Sequence, residues 1–321
     1  MRINLSQAFN GIGTVVAPVL GSYVFFAFGD DAAGDERAIE NVQWVYLAIA
    51  CFVFILAVVF LFSTIPEITD ADMAFQAAET HAGEGDLPFR RQYRLFHAAF
   101  AQFCYVGSQV SIAGFFINYV TETRSGTDAA LGSKFLAGAQ ASFAVGRFVG
   151  VALMHYVRPR RVFLVFLTFC IVFVAPAITQ RENAGLAMLY VTLFFESICF
   201  PTIVALGMRG LGRHSKRGSG LIVGGVLGGA VVPPLTGYTA DRHGIGLSMV
   251  VPLVFFVAAW TYALAVNFWP WYRNTVDAFT ETKLGLDGNH GGVLADEEKG
   301  AGAGTGRHEE RPTGPPEGLK Q

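Results

Sequence analysis

The chain is short of charge. Of 321 residues only 15% are Asp, Glu, Lys or Arg, against about 25% in an ordinary soluble domain. With 52% hydrophobic residues, 29 of the total being Phe, a water-facing globule of this length has too little polar surface to cover itself. The net charge of −2 carries no nucleic-acid signal, and no nucleic-acid partner is expected. Cysteine is scarce as well. Cys51, Cys104, Cys170 and Cys199 each lie alone in an apolar run, with no CxxC and no Cys/His cluster, so neither a disulfide nor a metal site is expected. There is no P-loop and no GxSxG, and His155 and His243 stand isolated. These absences remove nucleotide hydrolysis, serine-hydrolase chemistry and zinc catalysis. The expectation is no enzyme and no cofactor. No small-residue cleavage site behind a short apolar core follows Met1 and Arg2, so no signal peptide is read there.

What the chain has in abundance is long apolar runs. A bilayer core of about 30 Å takes roughly 20 apolar residues as helix, and helices are the form in which backbone groups find partners in lipid. About eight such spans are expected: Asn4 to Phe28, Gln43 to Phe62, Leu95 to Val120, Gly132 to Val157, Val162 to Ile178, Leu186 to Met208, Gly218 to Thr239 and Ser248 to Phe268. The fold class is thus all-α integral membrane.

Lysine and arginine set the orientation. One set of loops holds Arg90, Arg91 and Arg94, then Arg158, Arg160 and Arg161, then Arg209, Arg213, Lys216 and Arg217. The alternate set holds only Arg37, Arg124, Lys134, Arg181 and Arg242. The richer set is expected to be cytoplasmic, with both termini on that side. Polar composition marks a cytoplasmic linker over residues 63–94, dividing the spans two and six, and a Gly-, Pro- and charge-rich tail over 274–321 cannot bury enough to fold.

Polar groups inside spans are costly and mark candidate sites. Asn4, Gln7 and Asn10 share one face of the first span. Gln102, Tyr105 and Gln109 share a face of the third, where an aromatic ring with amides suits a sugar: the ring covers C–H groups and the amides read hydroxyls. Each set can equally serve helix–helix hydrogen bonding. Glu196, the one carboxyl deep in a span, sits one turn before Pro201. Desolvation favours a protonated carboxyl, which suits proton binding and release, and a structural pair is the other reading. Arg147 fits a gate or a structural ion pair. Gly220, Gly224 and Gly228 repeat at steps of four ahead of Pro233 and Pro234, giving a close-packing and bendable helix.

The stretches "RINLSQAFNGIG", "AQFCYVGSQ", "VGRFVG", "CFPTIVALGMRGLG" and "GGVLGGAVVPPLTGYTAD", in that order, resemble the fucose:proton symporter branch of the major facilitator superfamily, which also contains glucose/galactose transporters. The likeness runs from about Arg2 to Phe268. It implies a twelve-helix fold in two six-helix halves with a sugar held between them. This chain aligns from the fifth helix of that fold onward. Residues 1–62 then correspond to the last two helices of the first half, 63–94 to the central loop, and 95–273 to the complete second half. The resemblance implies proton-coupled transport of a monosaccharide by alternating access in the plasma membrane, with Gln7 and Asn10 on the sugar cavity and Tyr105 and Gln109 as further sugar contacts. The acidic residues that the family ties to coupling lie on its first and fourth helices, ahead of this alignment. Where the fucose transporter has a Gln-Tyr pair before the "CFPT" proline, this chain has Cys199 and Phe200. A truncated form with impaired transport is expected, and the alternative is a non-transporting scaffold or sugar sensor.

Overall fold

The computed structural model describes residues 32–62, 88–211 and 214–284. Its elements are helical throughout, with no strand among the described residues. They are α1 (Ala32–Phe62), a 3-10 turn (Phe89–Arg91), α2 (Tyr93–Thr123), α3 (Ala129–Tyr156), α4 (Pro159–Ala177), α5 (Glu182–Glu196), α6 (Cys199–Gly207), α7 (Ser215–Gly224), a second 3-10 turn (Gly225–Leu227), α8 (Gly228–His243), α9 (Ile245–Ser248), α10 (Val250–Phe268) and α11 (Pro270–Leu284).

Six stretches are long and apolar enough to cross a membrane: Tyr93–Thr123, Ala129–Tyr156, Pro159–Ala177, Glu182–Gly207, Ser215–His243 and Ile245–Phe268. They fall within a few residues of the spans expected from Leu95 onward. A shorter apolar stretch, Leu47–Val59, lies inside α1. The expected span from Asn4 to Phe28, with Gln7 and Asn10, lies outside the described residues, as do linker residues 63–87.

Local chemistry sets the helix ends. The Asp128 carboxylate accepts the Leu131 N–H at 2.8 Å and caps α3. Pro159 opens α4, where its missing N–H costs nothing. Gly244, at φ 84°, ends α8. Phe148, Val165, Phe169, Val172, Val254 and Val257 are exposed, a surface that hydrocarbon accepts and water does not.

α2 is the central helix. Its Tyr105, Phe116 and Tyr119 are fully buried with Phe163 of α4 and Phe256 of α10. Against α7 and α8 it packs backbone to backbone. A Cβ added to Gly228 would collide with the Phe103 carbonyl oxygen, one on Gly107 with Val232, and one on Gly225 would stand 2.9 Å from the Phe103 nitrogen. The glycine pattern read from the sequence is therefore split by role. Gly228 is required at the crossing, whereas a Cβ on Gly220 or Gly224 meets nothing.

The basic ends of α2, α4, α6 and α10 are strapped together by α11. Composition begins the unfolded tail at Asn274, but the helix runs through that residue to Leu284. Its first half finds partners, and that is why it is ordered. Asp277 accepts Arg160 Nε at 2.8 Å, Arg160 Nη2 at 2.9 Å and Arg158 Nη1 at 3.0 Å. Arg209 Nη1 donates to the Val276 carbonyl at 2.6 Å. Arg94 donates to Thr275 Oγ1 and lies over the Trp271 ring, and the Tyr272 hydroxyl is 3.3 Å from His97 Nδ1.

Candidate functional site

Mid-way along the bundle, α2, α3 and α5 leave a cavity of about 450 Å³, within the usual range of ligand pockets, roughly 300–1,000 Å³. Each helix offers one face to it. From α2 come Gln109, Val110, Ala113 and Gly114, from α3 Leu136, Gln140, Phe143 and Arg147, and from α5 Leu193 and Glu196. The spacings of three and four within each set are those of a single helical face. Small residues make the room: a Cβ on Gly114 would meet nothing within 4 Å.

The floor of the cavity is a break in a helix. α5 stops at Glu196 and α6 restarts at Cys199. Pro201 has no N–H to give the Ser197 carbonyl four residues back. Arg147 Nε from α3 donates to that carbonyl instead, at 3.1 Å. One residue earlier, the Tyr105 hydroxyl from α2 donates to the Glu196 carbonyl at 2.6 Å. Two neighbouring helices thus supply side-chain donors to the two carbonyls at the break. α3 comes close enough through Gly146, whose added Cβ would stand 2.7 Å from Ser197 Oγ, and through Gly150 against Ile198.

Arg147 is 5% exposed and its guanidinium lies 4.7 Å from the Phe143 ring centroid, a cation–π arrangement that fixes both side chains on the cavity wall. Glu196 is 1% exposed, and its Oε1 is buried without a hydrogen-bond partner among the described residues. Gln109 and Gln140 are half-buried. The site therefore holds two primary amides, one aromatic face, one cation and one carboxyl, around a volume otherwise lined by carbon.

Of the residues singled out from the sequence, Gln109, Arg147 and Glu196 come together here. Tyr105 does not line the cavity: it is fully buried, packs against Phe256 with ring centroids 6.1 Å apart, and spends its hydroxyl on the backbone below. Gln7 and Asn10 lie outside the described residues. Sequence reasoning passed over Gln140 and Phe143. Their signal was present, since Gln140 precedes Arg147 by seven residues, two turns on one face. No group of three or more metal-ligating side chains occurs among the described residues.

The family model described as Major Facilitator Superfamily matches residues 1–233. The chain is 34% identical over 270 residues to a glucose/galactose transporter of Brucella abortus, covering 82% of this chain and 62% of that protein. It is 27% identical over 280 residues to the L-fucose-proton symporter of Escherichia coli, covering 82% and 63%. The chain thus spans a little under two thirds of the length of these curated relatives. Among solved structures it is similar to a Major Facilitator Superfamily transporter, FucP, in the outward conformation, with a TM-score of 0.63, 26% identity, and coverage of 82% of this chain and 67% of that one.

Proposed function

The chain belongs to the major facilitator superfamily, and from that premise we propose that its cavity binds a monosaccharide and that its function is proton-coupled sugar transport by alternating access. On this reading α1 belongs with the first half of the fold and α2 to α10 form the second. The basic end, with α11, faces the cytoplasm of a plasma membrane.

The observation that carries the proposal is the company of side chains around the cavity. Gln109 and Gln140 each present a donor pair and an acceptor, the inventory needed to read sugar hydroxyls in either sense. Phe143 supplies a flat apolar face for ring C–H groups. Arg147 is held at the wall by Ser197 and Phe143 and adds a charged donor. Glu196 is assigned the coupling proton, because it is a carboxyl at the cavity with an unpartnered oxygen. Gln7 and Asn10 are assigned the facing wall, on the motif they match. Tyr105 acts through the backbone of Glu196 and not on the sugar.

The test is binding of D-glucose, D-galactose and L-fucose to the detergent-purified chain by titration calorimetry. At least one sugar is expected to bind. Gln109→Ala and Gln140→Ala are each expected to weaken it about tenfold, about 1.4 kcal/mol, with thermal stability unchanged. Sugar affinity is expected to vary with pH, and Glu196→Gln is expected to flatten that dependence. No heat with any monosaccharide, or an unaltered pH profile in Glu196→Gln, refutes the corresponding part.

A further inference from the structure

Gln102 is a polar side chain that neither the core nor the cavity accounts for. It is 0% exposed, and both of its amide atoms, Oε1 and Nε2, lack a hydrogen-bond partner among the described residues. Leaving a buried polar group unsatisfied costs about 1–3 kcal/mol, a cost that leucine at the same position would not carry. Gln102 precedes Gln109 on α2 by seven residues. At 100° and 1.5 Å per residue, it points within about 20° of Gln109 and lies about 10 Å nearer the basic end. It sits below the cavity floor, on the same face of the same helix.

The surface covering it is unusually bare. A Cβ on Gly225 would stand 2.9 Å from the Gln102 Cβ, so glycine backbone packs directly on the root of this side chain. That glycine begins the 3-10 turn between α7 and α8, and Pro233 and Pro234 interrupt the ladder further on. One turn nearer the basic end, Ala98 of α2 and Ile222 of α7 close together over Gly207. The wall beside Gln102 is therefore glycine backbone, with no side chain of its own to interlock with α2 at that point.

We propose that Gln102 is a second polar station on the substrate path, closed here with Gly225 packed on its Cβ and uncovered when the α7–α8 wall withdraws from α2. Its ligand is an uncharged hydroxylated molecule together with its water, because a primary amide offers donors and an acceptor without net charge. The unsatisfied amide of the sealed state is the cost of having that station ready in the open one. This inference rests on the transport reading above.

The test uses the full chain in liposomes with its four cysteines replaced by alanine. Gln102→Cys is labelled with a charged, water-soluble maleimide, with and without D-glucose, D-galactose or L-fucose. It is expected to react at least tenfold faster than Val174→Cys, an equally buried position on α4, and a bound sugar is expected to change the rate several-fold. Ile222→Cys, on the opposing wall, is expected to behave alike and replaces Gln102→Cys if that variant does not fold. Labelling of both at the Val174→Cys level overturns the inference. So does fast labelling that no sugar alters in a chain shown to bind one. Fast labelling in a chain that binds none of the three sugars supports the path and counts against the sugar reading alone.

Discussion

Tyr105 separates two accounts of the same helix face. If its hydroxyl touches sugar, Tyr105→Phe weakens sugar binding and leaves stability alone. If the hydroxyl is spent on the Glu196 carbonyl at 2.6 Å, the outcome inverts. Both ends of that bond are buried, Tyr105 at 0% and Glu196 at 1%, so water cannot replace the lost donor. An unsatisfied buried acceptor costs about 1–3 kcal/mol, whereas hydrogen bonds between membrane helices average only about 0.6 kcal/mol, because the unfolded chain in lipid finds other partners. The bond is short and its acceptor lies at a helix break, which argues for the upper part of the membrane range, roughly 1–2 kcal/mol. For a bundle of this size that is a fall of about 2–8 °C in the unfolding midpoint, read by thermal unfolding of the purified chain in detergent. Sugar affinity is expected to stay within about twofold. A tenfold loss of affinity with an unmoved midpoint refutes the argument and puts the hydroxyl on the sugar.

Asp277→Ala is expected to destabilise the bundle by about 2–3 kcal/mol, since it removes the counter-charge of Arg160, whose side chain is only 6% exposed, and leaves it the neutral Asn267 Oδ1 as acceptor. The double variant with Arg160→Met is expected to recover most of that loss, and strictly additive effects in the cycle would refute a direct pair. Gly228→Ala is expected to abolish accumulation of folded protein, because its Cβ meets the Phe103 carbonyl, while Gly220→Ala stays within about 0.5 kcal/mol of the parent. Equal effects at the two glycines would show that the α2–α8 crossing is not as close as described.

Most of the fold is legible because it depends on run length and end signals. Spans of about 20 apolar residues, with arginine clusters between alternate pairs, leave little freedom once lipid is the solvent. Legibility falls where a face must be assigned to one of two neighbours. Gln102, Tyr105 and Gln109 read as one stripe, yet a stripe covers more than 60° of the helix. Tyr105 lies about 40° from Gln109 on the side away from Ala113, and that rotation delivers it to α10 and the helix break, while Gln109 meets the cavity. Glu196 and Arg147 stand out in sequence because charge is rare in a span. Gln140 does not, since an amide among alanines and glycines can also join two helices. The order of α11 is unreadable from composition, for it depends on where the bundle happens to present Arg158, Arg160 and Arg209.

The two broken helices explain why one wall can serve as an anchor and the other as a slide. At the α5–α6 break, Tyr105 of α2 and Arg147 of α3 each donate to a carbonyl at the discontinuity. Turning α5 and α6 against α2 and α3 would break both bonds, each of which is made by a buried side chain. At the α7–α8 break, α2 is met by glycine. Moving that wall breaks contacts between backbones and uncovers an amide that has no hydrogen-bond partner among the described residues. A conformational change follows the path on which fewest bonds are left unmade. On the transport reading, that path is displacement of α7 and α8 over Gln102, with the α5–α6 break tied to α2 and α3 by Tyr105 and Arg147.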